Sequence, residues 1–123
     1  MPWTITVGVA AVLGGLGVAL GAFGAHGLKG RLSVDDLAIF ETAVRYQMYH
    51  ALALLGVGLV ATRVEDPMLR LSGIFFLVGT LVFSGTLYAL VLAGLRWMGM
   101  ITPFGGLLLI LGWVTLAWSM FRV

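Results

Sequence analysis

The chain has 123 residues, of which 61% are hydrophobic and only 10% charged, with a mean hydropathy of +1.11; a soluble domain carries about 25% charged residues. No water-soluble surface can be built from this inventory, and the net charge of +2 comes from scattered groups, which excludes the clustered basic footprint of a nucleic-acid binder. With no Cys, disulfides, thiolate nucleophiles and Cys-held metal or iron–sulfur centres are excluded as well.

A spanning helix needs about 20 apolar residues, so four spans use about two thirds of the chain. Short loops remain, with no room for an extramembrane catalytic domain. The expected fold is all-α: an integral membrane four-helix bundle, one four-span domain, with the lipid bilayer as its main partner.

The first predicted span covers about residues 5–25. The first charged side chain is Lys29, so the charged start of a signal peptide is missing and the segment reads as a retained span. At about 100° per residue, Ala10, Gly14, Gly17, Gly21 and Gly24 fall on one stripe. Such small-residue ridges let helix backbones approach closely, because lipid gives no hydrophobic drive for association. Packing is the plain reading, and a backbone-lined pore or ligand contact is the other.

Lys29, Gly30 and Arg31 make a short loop. Ser33 then has the position of an N-cap, with Asp35 and Asp36 in the first turn, where the helix dipole favours anions. The second helix is expected over about residues 34–61. Its first three turns are amphipathic, with Leu37, Phe40 and Val44 against Asp36, Glu41 and Arg45. This extension should lie at headgroup level or cap the bundle, before a second span of about residues 46–61.

A turn with Arg63, Glu65, Asp66, Pro67 and Arg70 leads into a third span of about residues 71–92. A loop with Arg96, Trp97 and Gly99 follows. Thr102 as N-cap and Pro103 as first helical residue start a fourth span ending at about residue 121. Trp3 and Trp118 fall at one interface, and Tyr46, Tyr49 and Trp97 at the other. Gly15 and Gly21 echo Gly79 and Gly85, the spacing of a parallel repeat. Arg63, Arg70 and Arg122 on the side of the termini balance Lys29, Arg31 and Arg96 on the other, so positive charge does not decide orientation.

The polar groups at membrane depth gather toward one face: His26, then Glu41, Arg45, Tyr46, Gln47 and His50, with Thr80, Ser84 and Tyr88 as a stripe on the third span. Glu41 and Arg45 have the spacing of an intrahelical ion pair. Tyr46 and His50 lie one turn apart, about 180° from Glu41. Convergence of His26 with Tyr46 and His50 is expected, with Ser84 or Tyr88 in reach. Such a cluster can be interhelical glue, a lipid-headgroup or transport site, or a weak haem or copper site using His26, His50 and nearby Met48, Met98 and Met100. No metal site or cofactor is assigned. Two polar faces on the second helix favour a homo-oligomer, and the lack of a nucleophile–base or carboxylate pair argues against an enzyme.

Several segments carry a resemblance. They are Gly21-Ala22-Phe23-Gly24-Ala25-His26, Tyr46-Gln47, His50-Ala51, Phe83-Ser84-Gly85-Thr86-Leu87-Tyr88, Thr102-Pro103-Phe104-Gly105-Gly106 and Gly112-Trp113. In this order the chain resembles the domain-of-unknown-function 423 proteins, small bacterial inner-membrane proteins to which the eukaryotic transmembrane protein 256 group looks related. The resemblance implies four membrane helices and cytoplasmic termini, and lends no activity. Small multidrug transporters fit less well, since they need an acidic residue in the first span. Fluoride channels rely on a membrane Asn, and this chain has none.

Overall fold

The computed structural model describes residues 1–123 and is entirely helical. Its elements are α1 (Trp3–Phe23), a π-helical turn (Gly24–Leu28), α2 (Val34–Val60), α3 (Pro67–Leu92), a 3-10 turn (Arg96–Met100) and α4 (Thr102–Arg122). Ser33 caps α2, its Oγ accepting the Asp36 N–H at 3.1 Å. Pro67 opens α3, where a missing N–H costs nothing. Thr102 differs from its expected role. It lies inside α4, and its hydroxyl bonds Thr86 Oγ1 at 2.6 Å and the Met98 carbonyl at 3.2 Å. A neighbouring hydroxyl on α3 outcompetes the local cap.

By length and composition three helical stretches can cross a membrane: Trp3–Leu28, Pro67–Leu92 and Arg96–Arg122. The second helix falls short of the expected four, because Arg45, Gln47 and His50 dilute even its most apolar stretch toward Val60. Only 31 of 123 residues are buried, while side chains such as Val12, Val18 and Ile110 stay at least 60% exposed. An apolar surface of this extent fits a bilayer and not water.

The helices pack in chain order, α1 on α2, α2 on α3 and α3 on α4, and no other pair of these helices packs extensively. The arrangement is therefore an open series, not a closed ring. Its main core joins Leu13 of α1, Leu54 of α2, Phe76 of α3 and Leu109 of α4. A second core at one end gathers Leu28, Phe40, Leu90 and Val91. Phe40 is fully buried there, so the apolar side of the amphipathic turns of α2 packs against protein.

Glycines set the closest approaches. A Cβ at Gly24 would lie 2.6 Å from the Phe40 ring, and one at Gly21 would lie 3.3 Å from Val44. Gly17 faces Met48, whose thioether occupies the space beside it. Gly14, on the same stripe, meets nothing within 4 Å. The Gly15–Gly21 and Gly79–Gly85 echo has no common role: Gly15 and Gly85 are open, whereas Gly79 abuts the backbone of Leu109.

Two ion pairs tie the ends of the helices. Arg96 grips Asp36 with both nitrogens, at 2.8 and 2.7 Å, and draws the Asp36 carboxyl below its ordinary value. Arg96 is 61% exposed, so water screens the pair, while the Asp36 side chain it covers keeps only 16% of its surface. Asp66, at the start of α3, is 7% exposed. It accepts the Ser119 hydroxyl at 2.5 Å and pairs with Arg122, both from the end of α4. The Ser119 hydrogen bond, helped by Arg122, holds the Asp66 carboxyl below its ordinary value of 3.8. A lowered folded value stabilises the fold fully above pH 3.8, and that share is lost as pH falls through the folded value. The thermal midpoint in mild detergent should therefore fall on the acid side of pH 3.8. Asp66→Asn should lower stability at neutral pH and flatten the acid-side slope; an unchanged slope would remove Asp66 from the account.

Candidate functional site

The long second helix holds Gln47 and His50 on its buried side, and each gathers a different set of neighbours. The Gln47 amide donates from Nε2 to the Leu13 carbonyl of α1 at 2.8 Å. Its Oε1 accepts the Tyr88 hydroxyl of α3 at 2.6 Å. One side chain, 4% exposed, thus joins three helices. Beside it, Ser84 donates to the Ala43 carbonyl at 2.7 Å. Every buried side-chain polar atom has a partner, as a low-dielectric interior requires.

His50 turns toward α4. Its Nδ1 lies 2.7 Å from the Tyr46 carbonyl, and its Nε2 lies 3.1 Å from Trp113 Nε1. A carbonyl can only accept and an indole N–H can only donate, so the imidazole is the neutral Nδ1–H tautomer. The Tyr46 ring stacks on His50 at 6.1 Å and on Phe83 at 4.7 Å. Phe76 and Trp113 close the far side of the imidazole at 5.8 and 5.9 Å.

Because α2 and α4 meet little beyond the His50–Trp113 contact, a groove of about 860 Å³ runs between them. Phe83 of α3 forms its floor, Tyr46, Tyr49 and His50 one wall, and Gly106 and Trp113 the other. Leu52, Leu107 and Ile110 make the rest largely apolar. Both His50 nitrogens are spent inside the protein. The polar groups left to a ligand are the hydroxyls of the half-exposed Tyr46 and Tyr49.

The sequence-derived site is thus divided. Tyr46 and His50 belong to the groove, while Gln47, Ser84 and Tyr88 form the neighbouring interhelical network. His26 sits exposed in the π-helical turn and shares no hydrogen bond or ring contact with His50. The imidazoles do not converge, because His50 faces α4 whereas the turn carrying His26 follows α1. To ligate haem or copper through Nε2, His50 would have to release the Trp113 N–H. Glu41 and Arg45 are exposed and form no ion pair with each other. Trp113 and Phe83 entered the sequence reading only as parts of family segments. A tryptophan in the middle of the fourth helix, far from either interface, is the available signal for a buried polar partner.

Residues 20–106 match the family model described as a protein of unknown function, DUF423. The chain belongs to this family. Among curated relatives, a UPF0382 membrane protein of Haemophilus influenzae is 45% identical over 105 residues, covering 85% of this chain and 84% of the relative. One from Staphylococcus haemolyticus is 44% identical over 107 residues, 87% of each chain. The UPF0382 inner membrane protein YgdD of Escherichia coli K12 is 39% identical over 104 residues, 85% of this chain and 79% of the relative. No solved structure matches the chain. Membership makes this a DUF423 membrane protein with transmembrane helices. The matched region contains the groove wall from α2, its Phe83 floor and the Pro103–Gly106 rim.

Proposed function

We propose that the protein is a non-catalytic four-span membrane protein that holds the acyl chain of a lipid, or a comparably long apolar molecule, in the α2–α4 groove. The observation that carries this reading is the groove itself: about 860 Å³ of apolar, aromatic-floored space flanked by two tyrosines. Apolar walls with few polar groups are what a lipophilic ligand needs. Tyrosines suit the level where acyl chain meets headgroup.

The second helix serves as the fourth span in this reading. Its 27 residues reach about 40 Å, it packs between α1 and α3, and its charged first turns would sit at headgroup level. Four spans put both termini on one side, the cytoplasmic one by family resemblance. Glu41 and Arg45, exposed and unpaired on the outer stripe of α2, favour a homo-oligomer in which a second copy supplies their partners. A transport role draws less support, because His26, Glu41 and Arg45 stand at the surface and line no common passage.

Gly106 supplies the test. A Cβ there would lie 3.7 Å from the Phe83 ring, an ordinary contact, so a larger side chain grows into the groove. Gly106→Leu should keep the thermal midpoint within a few degrees and reduce co-purified lipid several-fold in native mass spectrometry. Leu107→Trp, from the same wall, is the second blocking variant. Unchanged lipid in two folded variants would refute the groove as the binding site.

A further inference from the structure

We propose a second, separate site: the cavity under the α2–α3 turn binds an anionic phosphoryl group, that of a phospholipid headgroup, through Arg63 and Arg70. The cavity holds about 480 Å³ and lies between the start of α1, the turn at residues 61–66 and the first turns of α3. It sits at the end of the molecule opposite the Tyr46 and Pro103 rim of the α2–α4 groove, where two apolar helices finish and a bilayer surface would lie.

The charge balance of this cavity is set by the end of α4. Its lining includes two acids, Glu65 and Asp66, and two arginines, Arg63 and Arg70. Asp66 is already taken by Ser119 and Arg122. Arg122 pairs only with Asp66, and neither Arg63 nor Arg70 forms an ion pair. Two free guanidinium groups therefore face one free carboxylate. Guanidinium groups bind phosphate bidentately, with geometry a lysine lacks. Beside the arginines, the half-exposed Ile74 presents apolar surface, over a base closed by the buried Val57 and Leu69. A free phosphate would leave that surface unused. A phospholipid places its phosphate at the arginines and the start of its acyl chains against the apolar residues.

The whole protein in mild detergent can be titrated with phosphatidylglycerol and phosphatidylcholine of identical chains, and with inorganic phosphate, using native mass spectrometry. One arginine near a membrane surface contributes about fivefold in anionic-lipid affinity, so two contribute on the order of 25-fold. Phosphatidylglycerol should be preferred by about that factor. The preference should vanish in the Arg63→Gln/Arg70→Gln double variant, and fall about fivefold in Arg70→Gln alone should the double variant fold poorly. A Lys29→Gln/Arg31→Gln variant, altered at the other end, should keep it. Equal binding of the two lipids, a preference that survives loss of both arginines, or an equal loss in the Lys29/Arg31 variant would overturn the site. Inorganic phosphate competing at lipid-like concentrations would overturn the lipid assignment.

Discussion

Gly105→Ala should loosen the α3–α4 pair severely, while Gly106→Ala, one residue on, should leave the protein as stable as before or slightly more so. At Gly105 an added Cβ would lie 2.8 Å from the Phe83 Cα and closer still to its amide nitrogen. These are backbone atoms of a packed helix and cannot rotate aside. Relief requires the two helices to separate, which also strains neighbouring close approaches at Gly79 against Leu109 and Gly112 against Phe76. Overpacking costs about 1–3 kcal/mol and occasionally more, and a backbone clash belongs at the upper end. Gly106 meets only the edge of the Phe83 ring, at ordinary distance. Replacing a helical glycine there gains up to about 1 kcal/mol from reduced chain entropy. Thermal unfolding of the pair in one detergent measures the contrast directly. Equal midpoints would mean that α3 and α4 do not approach as described.

The same helix pair marks where the sequence stops being readable. The apolar runs placed the helices, and Ser33 and Pro103 announced two helix starts, because these signals are local; Pro67 reads locally as part of the preceding turn, whereas α3 begins on it. The small-residue stripe of α1 was visible by its period, although the stripe does not say that Gly14 lacks a neighbour. Gly105 and Gly112 lie on a comparable stripe of α4 with Thr102, Thr115 and Ser119, but what each glycine meets on α3, and what Gly79 meets on α4, follows only once the two helices are docked. The ties at the ends are non-local for the same reason. Asp36 and Arg96 are 60 residues apart, and Asp66 and Ser119 are 53 apart. Local expectation assigned Asp36 to the helix dipole and gave Asp66 no partner.

The candidate site divides along the same line. Helical period gives each side chain an azimuth, which placed Tyr46 and His50 together. It does not give the neighbour on that azimuth. Whether Gln47, about 60° away on α2, faces α1 or α4 depends on packing order. Because α1 packs on one flank of α2 and α4 stays across a groove, Gln47 joins the interior network while His50 meets Trp113. Glu41 and Arg45 had the right spacing to pair, but exposed charges gain little from holding two long side chains in one geometry.

Gln47→Leu is the variant that most directly tests this division of the polar cluster. Leucine fills much of the same volume, so the change removes hydrogen bonds with little loss of packing. The Leu13 carbonyl remains within the helical ladder of α1 and loses only an additional donor. Tyr88 fares worse: its hydroxyl is left without its acceptor beside a residue that is 4% exposed. A fully buried orphaned donor costs about 1–3 kcal/mol, a half-buried one such as Tyr88 less, and single interhelical hydrogen bonds in membrane proteins average about 0.6 and reach about 1.7 kcal/mol. A loss of about 1–2 kcal/mol is therefore expected. Adding Tyr88→Phe removes the orphan itself, so the double variant should recover part of the loss and the cycle should show a clear coupling energy. A ligand-binding role for Gln47 makes the opposite forecast, with stability intact and co-purified lipid reduced. Additive losses in the cycle would show that the Gln47–Tyr88 hydrogen bond does not hold α2 against α3, and the polar network would then need another centre.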